Sequence, residues 1–271
     1  MKALVLSGGG AYGAFQVGAI KRLAELGRRW DVILGVSVGA VNALQIAMYP
    51  PSQTLEAARE LEQFWFGIQG NQTLYRNWTI PVLEGLFGKG SIYDTAPLEA
   101  YLRARFKPAK LASSGVKLRM GATNLRTGKL HFGTEKSPDV VKWVMASAAF
   151  PAAFTPVRLD GDLWVDGGIR DTAPINEAVN MGATDMDIVL TGPRDGEAHD
   201  WDLKNAGNAA LVGIRAAEIM ANEVAQTDQD VLKTFKGTYR IYAPYAPWTT
   251  DALNWDPKTI RKMIDVGYGI P

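Results

Sequence analysis

Ser37 lies in Gly35-Val36-Ser37-Val38-Gly39, after the apolar run Val32-Ile33-Leu34 and before the helix-like stretch Ala40 to Met48. A serine at a strand-to-helix turn with a glycine on either side can hold its hydroxyl exposed at a strand end, ready to attack a carbonyl. Upstream, Gly8-Gly9-Gly10-Ala11-Tyr12-Gly13 opens the first helix. Its backbone N–H groups can face a ligand, and the helix N-terminus favours negative charge. Two chemistries compete for this turn, beside a purely structural role. Gly8, Gly10 and Gly13 satisfy a dinucleotide fingerprint, which also needs an acid at the far end of the second strand. Asp31 stands at the beginning of that strand, and the far end holds Ser37. The reading preferred here is an oxyanion hole, with the amides of Gly8, Gly9 and Gly10 beside Ser37. In a parallel sheet both turns emerge at the carboxyl edge, where ligands bind.

A serine hydroxyl needs a base. The chain has two histidines, His131 and His199. His131 alternates with Leu130 and Phe132 in an expected strand and reads as a structural residue. His199 lies in the polar stretch Asp195 to Asp202 and reads as a solvated loop residue. It follows Asp166, as the Ser–Asp–His order of α/β-hydrolases requires, but only two strands precede Ser37, fewer than that fold needs. Asp166, in Trp164-Val165-Asp166-Gly167-Gly168, ends an apolar strand at a tight turn. With an ordinary pKa near ~3.9 it would be a poor base, so it must be desolvated and face the hydroxyl directly. Asp-Gly-Gly is also a common way to make a turn, and that bland reading stays open on these residues alone.

The elements that must position these groups alternate. The periodicity predicts a strand over Lys2–Ser7, a helix over Ala14–Leu26, a strand over Asp31–Val36 and a helix over Val38–Met48. This is a βαβ unit and hence an α/β sheet covered on both faces. Pro50-Pro51 ends that helix and Ser52–Phe66 forms another. Residues 71–94 have no clean period. Thr95 is expected to cap a helix with Pro97 in its first turn. Strands are expected over 117–124, 129–132, 162–165, 185–191 and 238–243, and long helices over 205–234 and 257–266. No repeat or linker divides the chain, so residues 1–271 are expected to form one domain, with the motifs between about 3 and 191.

Bulk composition narrows the function classes. At 271 residues, 47% hydrophobic and 21% charged, the chain is globular, not disordered. A net charge of +1 speaks against a dedicated nucleic-acid binder. With no cysteine there is no disulfide, thiol nucleophile or cysteine zinc site. Met1-Lys2 leads into a short apolar run broken at Gly8, so no signal peptide is expected. No apolar run approaches the ~18 residues of a membrane span. The expected location is the cytoplasm.

Together these segments resemble the patatin-like phospholipase family from residue 3 to about 191. Gly8 to Gly13 matches its glycine-rich block, and Gly35 to Ala43 its serine elbow. Ala146-Ser147-Ala148-Ala149-Phe150-Pro151-Ala152-Ala153-Phe154 is similar to its Ala-Ser-x-Ala-x-Pro segment. Asp166-Gly167-Gly168 through Pro174-Ile175 matches its aspartate block. The resemblance implies a three-layer α/β/α fold with a central, mostly parallel sheet. It also implies a Ser37–Asp166 dyad without histidine, no cofactor or metal, and hydrolysis of lipid acyl esters. A transacylase using the same dyad and a non-catalytic lipid-binding module are the alternatives. Many members carry Arg or Lys where this chain has Tyr12, which weakens the expectation of a charged phospholipid. Tyr12, Val38, Trp78 and Phe150 are the candidate substrate contacts. The aromatic stretch from Phe64 to Tyr93 reads as a lid touching a bilayer surface or as core under a long loop. Arg103, Arg105, Lys107 and Lys110 read as lipid-attracting charges or as a solvated helix face. Nothing in the sequence speaks to oligomeric state.

Overall fold

Alternate residues of the first strand feed two separate cores, and this organises the molecule. The structure, a computed structural model, describes residues 1–77, 91–194 and 209–271. β1 (Lys2–Leu6) leads through a 3-10 turn into α1 (Gly13–Glu25), followed by β2 (Val32–Val36), α2 (Val38–Ala47) and α3 (Thr54–Phe66). β3 (Arg76–Asn77) and β4 (Tyr93–Asp94) pair as a short antiparallel ribbon. Then come α4 (Ala96–Arg105), α5 (Pro108–Ser114), β5 (Lys117–Asn124), β6 (Leu130–Thr134) and α6 (Val140–Ser147). β7 (Val157–Leu159), β8 (Asp162–Asp166), α7 (Ile175–Asn180) and β9 (Asp185–Val189) follow. α8 (Ala209–Thr227), β10 (Thr238–Tyr242) and α9 (Pro257–Tyr268) end the chain. On β1, Leu4 and Leu6 join a core with α1, α2, α3 and α9, while Ala3 and Val5 join a second core with α7 and Leu232. Period-two alternation thus buries both faces of one sheet, giving three layers, α/β/α. Among the described residues no helix is long and apolar enough to cross a membrane.

The sheet runs β10-β9-β1-β2-β5-β8-β7, with β6 on β5. The pairs from β10 to β5 are parallel, and β6, β8 and β7 are antiparallel to their neighbours. The register along β5 matters most. Arg119, Met120 and Gly121 pair with β2 and also with β6, so those two strands occupy opposite edges of β5. Ala122 and Thr123 pair with β6 and also with β8. Since a strand has two edges, β8 occupies the edge that β2 vacates. The two strands approach end to end, with Val36 opposite Gly121 and Asp166 opposite Ala122.

Several expectations change. Thr95 stands at the N-cap of α4 but its side chain makes no cap; Asp94 Oδ1 accepts the Ala96 N–H instead, at 2.9 Å. Of the long helix expected over 205–234, residues 205–208 lie outside the described residues, Ala209–Thr227 forms α8, and the chain tightens to a 3-10 turn at Asp228–Lys233, where the Asp228 side chain is drawn inward. α5, α6 and α7 escape a periodicity reading because eight residues or fewer make only about two helical turns, and β7 because it has three residues. His131 is exposed on β6, edge-on to Trp164 at 5.3 Å.

Candidate active site

The Gly35-x-Ser37-x-Gly39 spacing has a steric cause. A Cβ on Gly35 would collide with the backbone of Gly39, and one on Gly39 with the Leu6 and Ser7 carbonyls. β1, β2 and α2 can therefore converge only with glycine at both places. Between them Ser37 adopts φ 57° and ψ −128°, a conformation that side-chain-bearing residues rarely take. Holding it there costs about 1–3 kcal/mol, and the surrounding contacts must maintain it. One such contact is Ser147 at the end of α6. Its Oγ accepts the Ser37 N–H at 2.9 Å and donates to the Gly121 carbonyl at 2.6 Å, tying the elbow to β5.

Asp166 lies where β8 meets the end of β2. It is 2% exposed, and its Oδ1 accepts the Gly168 N–H at 2.8 Å. Oδ2 is buried and closes no hydrogen bond. Burial pushes the carboxyl up to about 7, while the Ser37 hydroxyl and the Gly168 N–H pull it back down. A buried carboxylate facing a hydroxyl, half-ionised near neutrality, is matched to taking a proton from that hydroxyl. In a site without substrate such hydrogen bonds are commonly loose and tighten on binding.

The glycine loop is held from three sides. The Gly8 N–H donates to the Thr172 carbonyl at 3.0 Å and the Ala11 N–H to the Ala252 carbonyl at 2.7 Å. The Thr191 hydroxyl donates to the Gly8 carbonyl. This revises the expected oxyanion set. The Gly8 amide is already committed, whereas among the described residues the Gly9 and Gly10 N–H groups donate to no protein acceptor. Both glycines have positive φ, 143° and 56°, which turns these amides away from ordinary strand pairing.

Ser37 borders two compartments. A cavity of about 210 Å³ holds Asp166, Gly8, Gly9, Gly10, Tyr12 and Phe150, and α8 adds polar Asn222 and Gln226 to its wall. A smaller recess of about 50 Å³ is lined by apolar groups, among them Val38, Val41, Trp65, Leu74 and Trp255. Tyr12 and Phe150 therefore line the larger space and Val38 the smaller. Trp78 and His199 lie outside the described residues. The Tyr12 hydroxyl donates to the Thr250 carbonyl, and burial raises its pKa, so position 12 holds a neutral phenol committed to the C-terminal loop. Phe64, Trp65 and Tyr75 are buried, which places the described start of the aromatic stretch in the core. Arg103 pairs with Glu99 and Asp139, Arg105 lies over the Tyr101 ring, and Lys110 donates to the Tyr49 hydroxyl. Ser147, Thr172 and Thr191 went unremarked as site residues in the sequence; the first two lie inside the Ala-Ser and aspartate blocks, and Thr191 lies in neither. Among the described residues no group of three or more His, Cys, Asp or Glu side chains is set to hold a metal ion.

Comparison with known proteins adds ancestry to this geometry. A family profile described as patatin-like phospholipase matches residues 4–179. Patatin-like phospholipase domain-containing protein 7 of Mus musculus is 29% identical over 210 residues, covering 76% of this chain and 14% of the mouse protein. An NTE family protein of Mycobacterium bovis is 28% identical over 202 residues, covering 73% of this chain and 51% of that one. The chain thus spans a seventh of the mouse relative and about half of the mycobacterial one. Among solved structures, VipD from Legionella pneumophila aligns with 97% of this chain and 66% of its own at 15% identity, with a TM-score of 0.45.

Proposed function

The chain belongs to the patatin-like phospholipase family, and from that premise we propose that it hydrolyses carboxylic esters of lipids through Ser37 and Asp166. The observation that carries this reading is the end-to-end meeting of β2 and β8 on one edge of β5, which brings a strained serine against a buried, neutral-titrating carboxyl. Asp166 takes the Ser37 proton as Oγ attacks the ester carbonyl. The Gly9 and Gly10 amides receive the oxyanion, and the acyl group passes to Ser37 as the alcohol leaves with a proton from Asp166. Water, deprotonated by the same carboxylate, then attacks the acyl carbonyl; the acyl–Oγ bond breaks, Ser37 Oγ takes the proton back from Asp166, and the fatty acid leaves. The apolar recess suits the acyl chain and the more polar cavity the leaving alcohol. A phospholipase A or lysophospholipase type of substrate fits this division, and transient contact with a membrane surface follows from the substrate. Residues 1–271 are read as one domain of the cytoplasm.

The test is incubation of purified protein with a mixed lipid extract, comparing released fatty acids with those from Ser37→Ala. Fatty-acid release by wild type and its loss in the variant are expected, together with fluorophosphonate labelling of wild type alone. Release by Ser37→Ala at the wild-type rate would overturn the scheme. Labelling without fatty-acid release, but with acyl groups appearing on an added alcohol, would identify a transacylase. Absence of both labelling and turnover would leave a lipid-binding module.

A further inference from the structure

Two buried acids outside the proposed dyad sit behind the glycine loop. Asp171 and Asp228 are 8% and 7% exposed. Asp228, at the turn after α8, accepts the backbone N–H groups of Thr172 at 2.7 Å and Ala173 at 2.9 Å through Oδ2. Thr172 is where the site's parts converge. Its carbonyl accepts the Gly8 N–H at 3.0 Å, and its hydroxyl is 3.2 Å from the carbonyl of Gly168, the residue whose N–H holds Asp166. The Thr172 hydroxyl also lies 3.1 Å from the Ala221 carbonyl on α8. Asp228 thus grips the backbone of a residue that reaches both the oxyanion loop and the turn of the proposed base.

The side chains of Asp171 and Asp228 are also close enough for each to bear on the other's ionisation. Two buried neighbouring carboxyls can share a proton when one of them keeps it, whereas two carboxylates offer acceptors alone. Burial raises both, and for Asp171 the charge of Asp228 raises it further. Among the described residues Glu177 of α7 also faces the pair; it opposes ionisation of Asp171 and is itself paired with Arg119 of β5 at 3.4 Å. Among the described residues no Lys or Arg forms an ion pair with Asp171 or Asp228.

We propose that Asp228 is a positioning residue for the oxyanion loop, acting through Thr172, and that a proton shared with Asp171 keeps this clamp closed. Loss of that proton leaves two carboxylates repelling each other in a dry site, so the clamp loosens on the alkaline side. The effect on turnover rests on the hydrolase reading; the effect on the loop does not.

The experiment measures kcat and KM for a p-nitrophenyl ester, scanned from about pH 5 to about pH 10, with Asp228→Ala, Asp228→Asn and Asp171→Asn. Asp228→Ala is expected to lower kcat about 10- to 100-fold with KM nearly unchanged, the scale of a misplaced oxyanion donor. Asp228→Asn keeps an acceptor for both N–H groups and offers its own amide to Asp171. It should therefore restore most of the loss and abolish the alkaline decline of kcat, and Asp171→Asn should abolish that decline too. Wild-type kcat in Asp228→Ala, or an unchanged alkaline decline in both Asn variants, overturns the proposal. If Asp228→Ala does not fold, the two Asn variants carry the test. If wild type turns over no ester, the hydrolase reading fails by itself. Amide hydrogen exchange in the peptide around Gly8 then decides, with faster exchange in wild type at alkaline than at neutral pH expected only if the clamp exists. Equal protection of that peptide, corrected for intrinsic exchange rates, overturns it.

Discussion

Burying Asp166 at the end of β8 raises its pKa to about 7 and sets activity against stability at one residue. An unfolded aspartate loses its proton near ~4. Between there and about 7 the folded chain retains a proton that the unfolded chain has released, so stability falls as pH rises through this window. Above it the whole cost of ionisation is present, on the order of a few kcal/mol. Asp166→Asn removes that ionisation. Its thermal midpoint is expected to exceed the wild type's above neutrality, with the gap closing toward acid, as calorimetry across pH can check. Its ester turnover should fall on the order of 100- to 10,000-fold, the usual contribution of a general base. For wild type, kcat/KM should climb with pH through about 7, before the alkaline decline that the Asp171–Asp228 pair imposes. A variant melting at the wild-type temperature in alkaline buffer would mean that the carboxylate is solvated. Ser37→Ala completes the residue-scale test, with loss of fluorophosphonate labelling as its readout.

At the scale of elements, the elbow is a joint between β2, α2 and α6. The glycines permit the turn, and Ser147 fastens it to β5. Ser147→Ala leaves the Ser37 N–H without its acceptor, which should cost about 1–3 kcal/mol of stability in urea unfolding. Turnover should fall on the order of 10- to 100-fold, because the hydroxyl of Ser37 is then less sharply aimed. An unchanged rate would show that the glycines alone hold the turn. The legibility of these elements followed their length. α1 and α2 present long apolar periods and were readable, whereas α6, with eight residues, carries too few turns for a period to emerge. Thr95 had the right residue type for a cap, yet the neighbouring Asp94 reaches the N–H first.

The whole molecule is held at its other end by charges brought together from distant parts of the chain. Asp187 on β9 is fully buried and accepts from Arg28 Nε and Trp30 Nε1, each at 2.7 Å. Arg28 and Arg240 both also reach Asp185. This network links the α1–β2 connection to strands more than 150 residues later. Asp187→Ala would leave Arg28 and Trp30 without that acceptor and should cost about 3–5 kcal/mol. Denaturant melts should show this loss, while turnover in the folded fraction stays near wild type because Asp187 lies outside both compartments at Ser37.

Read alone, the sequence determined the βαβ opening, the elbow at Ser37, the glycine turn before it and the candidacy of Asp166, because each depends on local residue type and short-range period. It also separated Ser37 from Asp166 by more than a hundred residues without saying how they meet. Only the tertiary structure decided that, through the register of β5, where β8 takes over the edge that β2 leaves. The commitment of the Gly8 amide to Thr172 and the buried Asp171–Asp228 pair are of the same kind. They are contacts between segments far apart in the chain, and no local pattern encodes which donor finds which acceptor.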